Sequence, residues 1–200
     1  MTDPPDPAAG AIRPAVPVLN VANALTGLRL ALIPVFLGLT IASRLTHPGL
    51  RISATIVFVV ASATDFVDGW IARTWQLVTA FGKVADPIAD KALTGTALVV
   101  LSWYGRLPWW ATVVIVVREV GVTVLRLGVI RREVIAASAG GKLKTALQIL
   151  AISWYLWPFP TWLNPIGETI MLLAILVTVV TGIDYVVRAE RRRRALRRAP

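Results

Sequence analysis

Residues 65–90 read DFVDGWIARTWQLVTAFGKVADPIAD, and this stretch decides the fold and the chemistry of the 200-residue chain. It carries four carboxylates in two pairs, Asp65 with Asp68 and Asp86 with Asp90, within an otherwise apolar sequence. Residues three or four apart share one face of a helix, so each pair presents both acids on the same side. Two successive helices that carry these pairs would form an antiparallel hairpin with all four carboxylates at one end.

Four converging carboxylates repel one another, and a divalent cation relieves that repulsion. Hard oxygen donors favour Mg²⁺, Mn²⁺ or Ca²⁺ over zinc, and the chain contains no cysteine that could supply a thiolate ligand. Four acids suit two metal ions. The alternative for a single aspartate is a helix cap or a solvated helix end. That alternative does not account for two pairs on successive apolar segments, so we expect a metal site formed by Asp65, Asp68, Asp86 and Asp90.

The composition is that of a membrane protein. Hydrophobic residues make up 56% of the chain and charged residues only 16%, and apolar runs long enough to cross about 30 Å of hydrocarbon recur along it. The sequence therefore predicts an all-α, polytopic integral membrane protein with the carboxylates at one membrane interface. Six transmembrane helices are expected, at residues 21–43, 52–73, 82–104, 109–130, 143–157 and 166–187.

The two ends of the chain differ from this central domain, which spans residues 18–187. Residues 1–17 are rich in proline and alanine and predict a disordered leader. Residues 188–200 form an arginine-rich tail, which contributes much of the net charge of +10. Such a basic balance favours anionic membrane lipids as partners and does not favour nucleic acid. By the positive-inside rule, both termini and the carboxylates are expected on the cytoplasmic side of the cell membrane.

The spacing D-x2-D-G-x2-A-R-x8-G-x3-D-x3-D within residues 65–90 resembles the signature of the CDP-alcohol phosphatidyltransferase family. The resemblance implies a homodimeric membrane enzyme that uses Mg²⁺ or Mn²⁺ and binds CDP-diacylglycerol. It also implies that Asp65, Asp68 and Asp86 bind the metals, and that Asp90 acts as the general base on the acceptor hydroxyl. The residues expected to contact the nucleotide or its phosphates are Asn23, Thr26, Arg29, Asp65, Gly69, Arg73 and Gly82.

The first helix supports this reading through its pattern N-x2-T-x2-R, formed by Asn23, Thr26 and Arg29. These residues share one face, and the pattern is similar to the start of the first helix in the family. The alternative is a polar helix end, with Arg29 extending its charged group to the membrane surface. Arg29 lies about two turns inside the helix, however, where a charge usually faces the interior of a bundle.

A second set of charges lies later in the chain: Arg118, Arg126, Lys142 and Lys144. Guanidinium and ammonium groups both suit a phosphate dianion, so the set is interpreted as an anion pocket beside the metal site. The alternative is a salt bridge between Glu119 and one arginine, with the lysines at lipid headgroups. The segments VREVGVTVLR and GGKLKT resemble those of phosphatidylglycerophosphate synthases, one branch of the family. This resemblance implies sn-glycerol 3-phosphate as the acceptor.

Other functions remain open at this point. A cardiolipin synthase of the same family would use phosphatidylglycerol as the acceptor, and inositol-phosphate and serine transferases are further possibilities. A divalent-cation transporter would also need acids within a helical bundle. Transporters usually place such a site near the bilayer midplane and often contain inverted repeats. In this chain the acids cluster towards one interface and the sequence shows no internal repeat, which favours an enzyme.

Overall fold

The computed structural model describes residues 20–74, 79–129 and 139–198, and within these ranges the chain is helical without any strand. This confirms the all-α prediction. A short 3₁₀ turn, Thr161–Leu163, precedes the last helix. The six helices are α1 (Val21–Ser43), α2 (Pro48–Thr74), α3 (Ala80–Trp103), α4 (Trp109–Val129), α5 (Ala139–Leu156) and α6 (Asn164–Arg198).

The helix ends agree with the sequence prediction to within two residues except at three places. Helices α2 and α5 begin at Pro48 and Ala139, each four residues before the expected start. Helix α6 has 35 residues and continues to Arg198, well past the expected end at residue 187. Arginine and alanine are strong helix formers, so the basic tail extends the last helix. The predicted leader lies outside the described residues.

In the part of the chain that the structure describes, three segments are long and apolar enough to cross a membrane by themselves: Asn23–Ser43, Pro48–Asp68 and Thr161–Arg188. Helices α3, α4 and α5 pack beside them and carry most of the charged residues discussed below. A charge inside such a helix lowers its hydropathy, and it is tolerated where it faces other helices. The most polar helices of the bundle are therefore the ones that carry much of the site.

Two layers of contacts organise the bundle. Helix α1 packs against α2 and α3, while α6 packs against α5 and α4, and α2 also contacts α5. Phe36 of α1 and Phe58 of α2 are fully buried, with ring centroids 5.6 Å apart. Leu93 and Leu101 of α3 and Ile152 of α5 complete this apolar core. The core fixes α1 against the two helices that carry the paired acids.

The end of the bundle away from the acids is closed by arginines bound to backbone carbonyls. Arg51, at the start of α2, donates from Nε to the carbonyl of Leu156 at 3.0 Å and from one terminal nitrogen to that of Trp157 at 2.8 Å. Arg106 donates to the carbonyl of Leu45 at 3.0 Å, across two connecting turns. These contacts satisfy carbonyls that a helix end leaves without partners.

Candidate active site

Helix α1 supplies one polar face to the site. The side chain of Asn20 caps the helix by accepting a hydrogen bond from the backbone nitrogen of Asn23 at 3.0 Å. Asn23, Thr26 and Arg29 then follow at intervals of three residues and lie on the side that meets α2 and α3. The polar face predicted from the sequence is therefore directed into the bundle, towards the paired acids.

Arg29 is fully buried and connects the first acid pair to α1. Its two terminal nitrogens donate to Asp65 at 2.7 Å and to Asp68 at 2.6 Å. Its Nε lies 3.2 Å from the carbonyl of Ala61 and 3.3 Å from Oγ1 of Thr64. A buried charge is tolerated only when it is paired and hydrogen-bonded, and Arg29 meets both conditions. The alternative of an arginine reaching to the membrane surface is wrong.

Thr26 and Asn23 connect α1 to α3, the helix that carries the second acid pair. The Thr26 hydroxyl, which is 1% exposed, donates to Oδ1 of Asp86 at 2.6 Å. One turn earlier, Oδ1 of Asn23 accepts from the hydroxyl of Thr79 at 3.0 Å. Thr79 in turn caps α3 by accepting from the backbone nitrogen of Gly82 at 3.0 Å. The three polar residues of α1 therefore contact the motif directly.

Glycine at position 82 is favoured by this close packing. A Cβ atom at this position would lie 2.9 Å from Oδ1 of Asn23 and 3.3 Å from Oγ1 of Thr79. No such restriction applies to Gly95 on the same helix, where a Cβ would meet nothing within 4 Å. The motif glycine therefore makes room for the contact between α1 and the start of α3.

Asp90 lies one turn further along α3 and is partly buried. Its carboxylate interacts electrostatically with Asp65, Arg29, Lys91 and Lys144. Asp90 therefore shares Arg29 with the first acid pair, while Asp86 is bound by Thr26 of the same helix α1. Within the described residues, however, no three carboxylates are already arranged to hold a metal ion. Arg29 and Thr26 bind three of the four acids instead.

The donor set nevertheless fits a divalent cation. It consists of carboxylates without any sulfur or imidazole ligand, which is the chemistry that Mg²⁺ and Mn²⁺ prefer. Among the described contacts of Asp65, Asp68 and Asp86, Arg29 is the single cation bound directly. The side chain of Asp65 is 35% exposed, so it stays accessible while bound to Arg29.

A second cluster forms around Glu119 of α4. Its Oε1 accepts from Arg118 at 3.0 Å and from Lys144 of α5. Its Oε2 lies 3.7 Å from Nζ of Lys91 on α3. Arg118 also donates to the hydroxyl of Thr181 on α6 at 2.8 Å. The salt bridge with Glu119 that the sequence left as an alternative is therefore present, and it joins three cations.

The structure brings together part of the expected basic set. Arg118 and Lys144 meet at Glu119, whereas Lys142 is exposed at the beginning of α5. No ion pair among the described side chains links Lys142 to Glu119. Gly69, Arg73 and Arg126 fall within helices, but their side-chain positions lie outside the described part of the structure.

Sequence reasoning missed Thr79 and Lys91 as members of the site. Thr79 could have been found as a helix cap, because threonine three residues before a backbone nitrogen is a common capping arrangement. Lys91 was visible beside Asp90 in the segment DPIADK. Its contact with Glu119 could not be read from the sequence, because the two residues lie on different helices.

Exposed tryptophans mark the end of the bundle opposite the acids. Trp103 is 74% exposed and Trp162 is 75% exposed. Tryptophan is enriched at membrane–water interfaces, so this end marks one boundary of the hydrocarbon. At a rise of about 1.5 Å per residue, Asp90 lies about 20 Å along α3 from Trp103 at the end of that helix. By the same measure, Glu119 lies about 15 Å along α4 from Trp109 at its start. The acids therefore lie nearer the other interface, and the Glu119 cluster lies deeper.

Comparison with known proteins agrees with this geometry. Residues 19–180 match the model of the family described as CDP-alcohol phosphatidyltransferase. The match begins before α1 and extends into α6, so it includes both charged clusters.

Curated relatives match over nearly the same length. The chain is 49% identical over 185 residues to a "Probable phosphatidylglycerophosphate synthase" of Mycobacterium tuberculosis, covering 92% of this chain and 88% of that protein. It is 40% identical over 181 residues to the "CDP-diacylglycerol--glycerol-3-phosphate 3-phosphatidyltransferase" of Bacillus subtilis, covering 84% and 94% respectively. The protein of the same name from Escherichia coli K12 is 33% identical over 174 residues, with 83% and 92% covered.

Proposed function

Because this chain belongs to the CDP-alcohol phosphatidyltransferase family, we propose that it transfers the phosphatidyl group of CDP-diacylglycerol to sn-glycerol 3-phosphate. The products are phosphatidylglycerophosphate and CMP, and the reaction belongs to phospholipid biosynthesis. Family membership confirms the resemblance of residues 65–90 and decides for an enzyme over a cation transporter. The names of the relatives favour glycerol 3-phosphate over the other acceptors considered.

The observation that carries the proposal is the arrangement of α1 against the paired acids. Arg29 binds Asp65 and Asp68, and Thr26 binds Asp86, so one helix aligns the acids of two others. This arrangement holds like charges together at one end of a membrane bundle. A pyrophosphate substrate whose lipid tails lie between the helices would meet them there.

We propose that two Mg²⁺ or Mn²⁺ ions are held by Asp65, Asp68, Asp86 and Asp90. When bound, they neutralise the pyrophosphate and take up charge on the departing CMP. Arg29 keeps Asp65 and Asp68 oriented, while Thr26 orients Asp86. The contact of Asn23 with Thr79 fixes the start of α3, where Gly82 allows close backbone approach. Contacts of Asn23, Gly69 and Arg73 with the nucleotide are part of the same proposal.

Asp90 is proposed as the general base. Its carboxylate takes the proton of the acceptor hydroxyl as the hydroxyl oxygen attacks the phosphorus attached to diacylglycerol. The new phosphorus–oxygen bond forms as the bond to CMP breaks, with the two oxygens in line. Two features suit Asp90 to this role. It is partly buried, and its carboxylate interacts electrostatically with Lys91 and Lys144 of the Glu119 cluster.

The acceptor phosphate is proposed to bind Arg118 and Lys144. Lys142 and Arg126, which the sequence also predicts for this pocket, are proposed as further contacts. Arg118 offers a planar fork and Lys144 a point charge, which are the two common protein ligands of phosphate. Both lie on helices next to α3, which carries Asp90. An acceptor held by its phosphate at this cluster would extend its hydroxyl towards the base.

The membrane arrangement is proposed on charge and shape. Arginines of the extended α6 and the cations before α5 favour a cytoplasmic position for the acid end. The same arginines would contact anionic lipid headgroups. Water-soluble glycerol 3-phosphate would enter from that side. A homodimer in the cell membrane completes the proposal.

Release of CMP tests this function. The purified protein is incubated with CDP-diacylglycerol, Mg²⁺ and one acceptor at a time: glycerol 3-phosphate, phosphatidylglycerol, inositol phosphate or serine. We expect CMP with glycerol 3-phosphate, loss of turnover in EDTA, and recovery with Mg²⁺ or Mn²⁺. Preference for another acceptor would overturn the choice of glycerol 3-phosphate, and full activity in chelator would overturn the metal site.

A further inference from the structure

Glu119 has no role in the proposed mechanism so far, although two of its partners, Arg118 and Lys144, are assigned to the acceptor phosphate. Its carboxylate contacts Arg118 on its own helix, Lys144 on α5 and Lys91 on α3. The Glu119 side chain is 15% exposed, and that of Lys144 is 9% exposed. One carboxylate therefore joins cations from three helices inside a membrane bundle.

Arg118 is fixed from two further directions. It donates to Thr181 of α6 at 2.8 Å, and a Cβ at Gly182 would lie 3.1 Å from its side chain. Its Nε is buried and has no hydrogen-bond partner in the described structure. A buried donor without an acceptor is unfavourable, and native proteins usually supply one. The Nε atom itself lies against α6, 3.2 Å from where a Cβ at Gly182 would be, so this packing holds the guanidinium in place.

The charges of the cluster do not balance. Lys91, Arg118 and Lys144 bring three positive charges and Glu119 one negative charge, and Asp90, which interacts with Lys91 and Lys144, brings a second, so the cluster stays positive by one charge. A phosphate monoester carries up to two negative charges near neutral pH. Without Glu119, the three cations would repel one another and Lys144 would lose its closest counter-ion.

We propose that Glu119 is a positioning residue for the acceptor, an inference that rests on the proposed function. Its carboxylate holds Arg118 and Lys144 in place before the acceptor binds and leaves the cluster with a net positive charge that attracts a phosphate. Lys91 belongs to the same pocket. Lys91 and Lys144 both interact electrostatically with Asp90, so a phosphate bound at these cations would lie near the residue that receives the hydroxyl proton.

The test compares Glu119→Gln with wild type in steady-state assays that vary glycerol 3-phosphate and CDP-diacylglycerol separately. Glutamine keeps the shape of the side chain and removes its charge. We expect the KM for glycerol 3-phosphate to rise roughly tenfold or more, since charge-assisted contacts in the pocket are weakened. The KM for CDP-diacylglycerol should stay within about twofold, because the nucleotide is assigned to contacts on α1, α2 and α3.

Glu168→Gln is the matched control, because Glu168 is exposed on α6 near the tryptophan end. Both KM values should remain unchanged in this variant. Glu119→Asp keeps the charge on a shorter side chain and should recover part of the acceptor affinity. If Glu119→Gln does not fold, Lys91→Gln gives an independent measurement. It should raise the acceptor KM several-fold without changing the KM for CDP-diacylglycerol.

Two results would overturn the role of Glu119. An unchanged acceptor KM in folded Glu119→Gln would make the cluster a structural salt bridge. A lower acceptor KM would show that Glu119 competes with the phosphate for the cations. Either result is separate from the proposed function, because that function fails only if wild type does not use glycerol 3-phosphate.

Discussion

At Arg29 one cation holds two carboxylates, whereas at Glu119 one carboxylate holds three cations. Arg29 is fully buried, and each of its nitrogens has an acceptor. Glu119 and its partners are more exposed, and Arg118 retains an unpartnered Nε. The two clusters meet at the consecutive residues Asp90 and Lys91.

The difference between the clusters shows what each can bind. The acid cluster offers carboxylate oxygens and so suits divalent cations. The Glu119 cluster has an excess of positive charge and so suits a phosphate. Arg29 holds two carboxylates together in the acid cluster, and Glu119 holds three cations together in its own cluster, before a ligand binds. A transferase that joins a metal-bound pyrophosphate to a phosphorylated alcohol needs both kinds of pocket side by side.

The largest expected effect is at the junction of the two clusters. Asp90→Asn should lower kcat by about 10²- to 10⁴-fold, the usual contribution of a general base, while CDP-diacylglycerol still binds. Turnover and equilibrium binding of the nucleotide lipid are measured on the same preparation. Asp184→Asn, an exposed acid on α6, is the control. A parallel loss of nucleotide binding would make Asp90 chiefly a metal ligand.

Removal of the central cation of the acid cluster should chiefly affect folding. Arg29→Ala leaves Asp68, which is 3% exposed, without its buried partner. Breaking a buried pair in this way lowers stability by about 3–5 kcal/mol. Thermal unfolding in detergent measures the loss, and added Mg²⁺ should restore part of it by neutralising the acids. Unchanged stability would show that the acid cluster does not need Arg29.

A cation of the other cluster should affect the acceptor instead. Arg118→Ala should raise the KM for glycerol 3-phosphate by roughly tenfold to over a hundredfold, the equivalent of one charge-assisted contact of about 1.5–3 kcal/mol. Arg118→Lys should recover only part, because a point charge cannot reproduce the planar fork. Arg188→Ala, at an exposed arginine of α6, serves as the control. An acceptor KM within about twofold of wild type would remove Arg118 from the pocket.

The smallest expected effect concerns the packing of α1 on α3. Gly82→Ala would bring a Cβ to 2.9 Å from Oδ1 of Asn23, whose side chain can rotate away at the expense of its contact with Thr79. Overpacking costs about 1–3 kcal/mol, and the flexible neighbour places this change at about 1 kcal/mol. The KM for CDP-diacylglycerol should rise several-fold. Gly95→Ala, with open space around its Cβ, should leave that KM unchanged.

Much of the fold could be predicted because the bilayer restricts the possibilities. Apolar runs of sufficient length must be helices, since every backbone polar group in hydrocarbon needs an internal partner. The start and end of α1 were therefore predicted correctly, and the other helices closely. The extension of α6 was missed because the arginine run was interpreted as a solvated tail, although its residues also favour a helix.

The sequence by itself determined the residue types of the site, because spacings of three and four place Asp65 with Asp68 and Asp86 with Asp90 on common helix faces. It also favoured an Arg29 that faces the bundle interior over one at the membrane surface, and the full burial of Arg29 confirms this. Only the tertiary structure decided which charges meet. The contacts of Arg29 with Asp65, and of Glu119 with Lys91 and Lys144, join residues on different helices. Helical periodicity fixes which side chains share a face of one helix. The packing of the bundle decides which face of a neighbouring helix lies opposite it.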